Sequence, residues 1–230
     1  MDTMATWPVV RAYKDHTIDL LRDADPVLDV GCGVGNDARA LGAIGVDPSL
    51  TMVTEARRRG GAFVHGDVLA LSIASAAVGG VRTDRVLQHV NDVDEALAEL
   101  ARVLRIGGLV VLAEPDQTTL CIDGTDPDLT PAIVAFRRAS IHHASLGGQL
   151  AGRLQSMGFA EVDRQAFTLE IVDPALAFGL LSWPGLLVER GTWSNDQAER
   201  FTSTLDHESF RYSFDIVVTW GRKDGVTPRR

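Results

Sequence analysis

The residues best suited to chemistry in this chain are three glycines and an aspartate. In "VLDVGCGVGNDARALGAIGVDPS", residues 27–49, Gly31, Gly33 and Gly35 follow a short apolar run, and Asp47 comes twelve residues after the last of them. Glycine lacks a Cβ, so a turn made of it lets a ligand lie against bare backbone and accepts the positive φ that such turns need. A carboxylate spaced beyond the turn can accept from both hydroxyls of a vicinal diol. A nucleotide-type cofactor lying across a strand-to-helix turn asks for both. The same glycines also suit a plain tight turn, and Asp47 with Ser49 also suits a helix cap before "LTMVTEARRR".

Rival phosphate motifs fit less well. A P-loop is excluded because no Gly-Lys-Ser/Thr follows the glycines. The dinucleotide pattern G-x-G-x-x-G/A fails from Gly31, where Asn36 takes the third place. It matches from Gly33 through Gly35 and Ala38, with Asp47 only fourteen residues on, so a nicotinamide-dependent dehydrogenase stays open. A proton acceptor working near neutral pH would be a histidine. Of the six, His89 follows the fourth apolar run and is the best placed for a base; ordinary surface or capping roles compete for all of them.

Composition narrows the partners. The net charge of -9 disfavours nucleic acid, which asks for a basic face. Cys32 and Cys121 are the only cysteines, with no Cys/His spacing for a metal. Asp123, Asp126 and Asp128 lack the glycine and distal Glu of a calcium loop. The apolar runs are too short to span a bilayer and the first residues show no signal pattern, so a cytoplasmic protein is expected. Oligomeric state is left open.

The elements that must hold these residues alternate as in a parallel sheet flanked by helices. Strands are expected at 27–30, 43–46, 62–65, 81–87, 109–114, after Gly158, and at 210–222. A helix of under two turns is expected from Asn36 to about Leu41. Another, with apolar Val93, Ala96, Leu97, Leu100, Val103 and Leu104 at helical spacing, should start near Asn91-Asp92 and stop at Gly107-Gly108. Further helices are expected at 131–146, from 147 up to Gly158, at 174–191 up to a break at Trp183-Pro184, and at 194–207. At 230 residues a single domain is expected, with lid elements at about 1–24 and 116–147.

With these residues in view, "LDVGCGVG" resembles the first motif of the class I S-adenosylmethionine (SAM)-dependent methyltransferases. Asp47 in "GVDPS" is similar to that family's ribose-binding acid, and Asp67 in "HGDVLAL" to its residue near the adenine amino group. "DRVLQHVNDVDEALAELARVLRIGGLVVLAEPD" (84–116) is similar to its fourth-strand, helix and fifth-strand block. The resemblance implies a Rossmann-like α/β fold, a seven-stranded, mostly parallel sheet with an antiparallel last strand and helices on both faces. It implies SAM as cofactor, S-adenosylhomocysteine as product, and cofactor contacts from Asp29, Gly31, Cys32, Gly33, Gly35, Asp47, Pro48, Asp67, Val68, Arg85 and Tyr13. His89 would be the base, and Glu114, His143 and Trp183 would meet a small organic acceptor of the quinone or natural-product kind. A SAM-binding enzyme that does not methylate, such as a cyclase or isomerase, and a non-catalytic binding module are the alternatives. One departure stands out: Gly35 to Asp47 is several residues shorter than is usual in the family, close to the shortest crossover that parallel strands permit.

Overall fold

The computed structural model describes residues 7–205 and 208–225. Fifteen regular elements follow in the order α1 (Pro8–Leu20), β1 (Val27–Val30), α2 (Asn36–Leu41), β2 (Ile44–Asp47), α3 (Leu50–Arg58), β3 (Phe63–His65), β4 (Val78–Asp84), α4 (Val93–Val103), β5 (Leu104–Asp123), α5 (Thr130–Ala139), α6 (Leu146–Ser156), β6 (Phe159–Ile171), α7 (Trp183–Glu189), α8 (Asn195–Ser203) and β7 (Arg211–Lys223). The sheet runs β3-β2-β1-β4-β5-β7-β6, parallel from β3 through β5 and antiparallel at its last strand, as expected. Strand order reverses between β2-β1 and β4, the place where open α/β sheets take their ligands. No helix among the described residues is long and apolar enough to cross a membrane.

The chain forms two compact units. The first holds residues up to Pro115, Leu146–Phe167 and residues from Ile216 on; the second holds Asp116–Ser145 and Thr168–Asp215. In the first, Leu28 and Val30 of β1, Val81 of β4 and Val110 and Leu112 of β5 join Ala96, Leu97, Leu100 and Val103 of α4 and Leu150 and Leu154 of α6 in one core. The period-two alternation of β1 and β4 sends their intervening residues, Asp29 and Arg82, to the opposite face. In the second unit Ile133, Leu169, Leu180, Phe201, Phe210 and Tyr212 are fully buried or nearly so.

α4 forms for the reasons its spacing suggests. Val93, Ala96, Leu97, Leu100 and Val103 are all buried, and the Asp92 side chain accepts from the Glu95 amide at 2.9 Å as the N-cap. The helix ends at Val103 rather than at Gly107-Gly108. Leu104 is already extended, and those glycines lie inside β5 near the irregular β4–β5 register. β4 lies three residues before the expected 81–87, because Arg85 turns to φ 56 and ends the strand. The helix expected at 131–146 is shorter, α5 ending at Ala139, and the helix expected from 147 up to Gly158 forms as α6. Trp183-Pro184 starts α7 instead of breaking a helix. Proline at a first turn forfeits no hydrogen bond, and Pro174–Leu176 and Leu180–Ser182 upstream are single 3-10 turns. α2 has the expected six residues, set between left-handed Gly35 (φ 76) and Gly42 (φ 64).

Replacing Asp92 by Ala strips α4 of its cap. The expected cost is about 1 kcal/mol, read as a lower urea midpoint at unchanged slope; an unmoved midpoint would show the cap to be redundant.

Candidate functional site

Asp47 closes β2 with a carboxylate that is buried but not spent. Its Oδ2 accepts from the Gly33 amide and its Oδ1 from the Ser49 amide, each at 2.8 Å. Each oxygen keeps a second lone pair. Ser49 itself caps α3 through the Met52 amide. The glycine turn is bonded back to β2, with Gly31 N and Cys32 N both donating to Val46 O at 2.7 and 3.0 Å. A Cβ on Gly31 would stand 2.1 Å from Val86 Cγ2, so the loop after β4 packs directly on the turn. At Gly33 (φ +54) a Cβ would meet nothing within 4 Å: glycine is needed there for its backbone angle, on the open side of the turn.

Two adjoining cavities share Gly31 and Arg85. One, of about 380 Å³, is lined by Asp47, Pro48, Asp67, Val68, Arg85 and His89 among others. The second, of about 360 Å³, is lined by Asp29, Gly31, Cys32 and Gly33 with Lys14 and Asp37. Nine of the eleven expected cofactor contacts thus line one cavity or the other, Gly35 and Tyr13 being the two that do not. Asp67 is exposed, and its carboxylate makes an Asx turn with the Leu69 amide at 2.9 Å. His89 is exposed at the end of the 3-10 turn Leu87–His89. Burial, with Asp29 and Asp47 beside it, pushes the Cys32 thiol up to about 12. It therefore stays protonated at neutral pH and is no nucleophile.

The floor of the second cavity is a charge network that sequence reading missed. Arg82, 1% exposed on β4, donates from Nη1 to Asp29 (3.0 Å), from Nη2 to Asp37 (3.0 Å) and Asp84 (3.1 Å), and from Nε to the Thr17 hydroxyl (2.9 Å). Asp29 and Arg82 are direct cross-strand neighbours in the β1–β4 register. Lys14 of α1 pairs with Asp37 and, at 2.9 Å, with Asp84, and Arg85 reaches Asp84 at 3.3 Å. Three carboxylates thus face three cations. Burial pushes Asp84 upward, but Arg82, Lys14 and Arg85 outweigh it and hold the carboxyl well below the usual range. Asp29 is raised, because burial and its two acidic neighbours exceed the pull of Arg82. The signal was available in "VRTDR", where charges recur with period two inside a buried strand.

Tyr13 lines neither cavity. It is fully buried, with its hydroxyl donating to Asp84 at 3.1 Å, and burial beside that carboxylate raises its pKa far above normal. Glu114 also departs from its expected role. It has no exposure, and its Oε1 accepts from the Val86 and Leu87 amides at 2.7 and 2.6 Å, fixing the loop that carries His89. Its Oε2 has no hydrogen-bond partner, and burial raises its pKa to about 8. Arg85, at φ 56 in a region that bulky side chains rarely adopt, starts the same loop. His143 and Trp183 belong to the second unit, His143 half-buried beside His142 and Trp183 buried at the start of α7.

A doubly wound α/β sheet with a glycine turn after β1 and an acid after β2 defines a class that binds an adenosine-bearing cofactor at the strand ends. Comparison with known proteins narrows it. Residues 28–112 match the family model of a methyltransferase domain. A 37.1 kDa protein in transposon TN4556 of Streptomyces fradiae is 38% identical over 176 residues, 70% of this chain and 51% of that protein. Demethylmenaquinone methyltransferase of Thermobifida fusca is 39% identical over 100 residues, 38% of this chain and 42% of that protein. The chain spans about half the length of the curated relatives it matches. Among solved structures, the YcgJ protein of Bacillus subtilis superposes with a TM-score of 0.65 at 18% identity, covering 94% of this chain and all of that one. Residues 28–112 thus carry a match to a methyltransferase domain, within a fold shared with the YcgJ protein.

Two outcomes follow. Arg82→Met leaves Asp29 without its cation partner and should cost about 3–5 kcal/mol in urea unfolding, partly recovered by adding Asp29→Asn; a loss below about 1 kcal/mol would show the network to be structurally idle. For Glu114, the unfolded chain releases the proton near pH 4.5 and the folded one holds it to about 8. The folded state binds more protons across that window, so stability falls as pH rises through it. Glu114→Gln should remove that share of the decline, and equal pH slopes for both proteins would refute a protonated Glu114.

Proposed function

We propose that this protein transfers a methyl group from SAM to a small organic acceptor. The observation that carries the reading is Asp47, whose carboxylate is oriented by the glycine turn it serves and lines one cavity with Asp67, Val68 and His89. The residues fit the cofactor by their donor set. Asp47 keeps acceptor capacity for two ribose hydroxyls, and Asp67 and Val68 offer a carboxylate and an apolar wall for a base. The second cavity offers Asp29, Lys14 and Arg85 to the charged amino-acid end. When bound, SAM supplies an electrophilic methyl on a sulfonium with a neutral leaving group. The chain's work is then alignment, which by itself supplies much of the acceleration.

His89, on the loop tied down by Glu114, takes the proton from an acceptor hydroxyl or ammonium. The name of the Thermobifida fusca relative supports a small ring-bearing acceptor, and the acidic composition supports one that is not nucleic acid. Residues of α1, which line the second cavity, act as a lid in this reading.

The test is calorimetric titration with SAM, S-adenosylhomocysteine and NAD in parallel. Binding of the first two without the third is expected, and Asp47→Ala should lose about 1.5–3 kcal/mol of SAM affinity, roughly ten- to a hundredfold. NAD binding in their place, or unchanged SAM affinity in the variant, would defeat the assignment.

A further inference from the structure

Arg85 is held in a strained position with most of its donors unspent. Its backbone stands at φ 56, where a bulky residue stays only if its surroundings impose it. They do so here: its amide donates to Ala113 O at 2.8 Å, and the next two amides go to Glu114 Oε1. The turn puts Arg85 on the wall of both cavities, a position it shares with Gly31. Its guanidinium bonds to Asp84 through Nε at 3.3 Å, and the rest of the planar fork is bonded to no described residue. Asp84 does not depend on that bond, since Lys14, Arg82 and the Tyr13 hydroxyl all come closer to it. The Arg85 side chain is 29% exposed, so its free donors are open to a ligand.

An adenosine has no use for that fork. Ribose and adenine present hydroxyl and amino donors, which Asp47 and Asp67 accept, and neither carries an anion. Arg85 is nevertheless the one Lys or Arg among the described residues lining their cavity. In the second cavity it can serve the cofactor's amino-acid end, but a guanidinium has five N–H donors and a carboxylate takes two of them. Donors therefore remain for a second anion at the junction. His89, on the same loop, lines the Asp47 cavity too, so a single acceptor can meet both side chains. A cofactor that crosses from one cavity to the other passes Arg85 with a sulfonium, a second fixed cation. An anion between the two is attracted by both, whereas a cation is repelled by both and a neutral group gains nothing.

We propose that Arg85 selects an acceptor carrying a carboxylate, which the open fork holds while the group to be methylated faces His89. This rests on the methyl-transfer reading. Arg85 binds and orients; the carboxylate is left unchanged, and the acceptor's proton still goes to His89. Calorimetry on the full chain tests it, with benzoate and its neutral amide, benzamide, as probes. Benzoate should tighten SAM binding to the wild type by about tenfold, and S-adenosylhomocysteine binding by less, because the product lacks the sulfonium charge. Benzamide should change neither. Arg85→Gln should lose the benzoate effect, and Arg85→Lys, which keeps the charge without the fork, should keep only part of it. A cooperative urea transition certifies the fold of each variant, and the wild-type contrast decides even if a variant fails to fold. An equal effect of acid and amide, no effect of either, or an effect that survives Arg85→Gln overturns the acidic acceptor and leaves the methyl-transfer reading standing. Binding of neither SAM nor S-adenosylhomocysteine removes that reading, and this proposal with it.

Discussion

A guanidinium taken out of water is tolerated only where its charge and its donors are all met at once, and Arg82 imposes that condition on the first unit. Its partners come from four elements: Thr17 on α1, Asp29 on β1, Asp37 on α2 and Asp84 on β4 itself. Apolar contacts are non-directional and would let a helix slide by a fraction of a turn. A planar fork with fixed donor directions would not. The network fixes where α1 and the short α2 sit on the sheet, and with them the wall of the cavity beside the glycine turn. Such buried charge is weak evidence of added stability; its effect is on geometry.

The loops at the strand ends are held by a single device used twice. Asp47 gathers the amides of Gly33 and Ser49, and Glu114 gathers those of Val86 and Leu87. In each case one carboxyl oxygen or pair of oxygens replaces the backbone partners that a turning chain has lost. The two differ in state. Asp47 lies beside an open cavity with acceptor capacity left over, whereas Glu114 is enclosed, and burial favours its protonated form. Two carboxylates with the same loop-holding task thus differ in surroundings, one lining a cavity and the other enclosed.

Much of this was legible beforehand. The strand at 27–30, the six-residue α2, the caps at Ser49 and Asp92 and the apolar stripe of α4 follow from local rules, since each rests on neighbours a few residues away in the chain. Glycine positions and the acid after β2 were equally visible. What stayed hidden depends on register. Arg82 reads as a surface charge until β4 is laid beside β1 and brings Asp29 opposite. Glu114 reads as a strand-end acid until the Val86–Leu87 amides are seen to turn back upon it. Tyr13 lost its expected role for the same reason, its hydroxyl being claimed by an aspartate 71 residues away. At Trp183-Pro184 the residues were read as a stop because proline ends helices as readily as it begins them, and only the preceding 3-10 turns decide between the two.

The division of the chain bears on inheritance. Every residue gathered in the two cavities precedes Pro115, whereas the second unit draws on two later stretches, 116–145 and 168–215. Substitutions in those stretches alter none of the side chains that line the cavities. A lineage can therefore change one set of codons while purifying selection holds the other, and divergence between descendants should concentrate in the later stretches first.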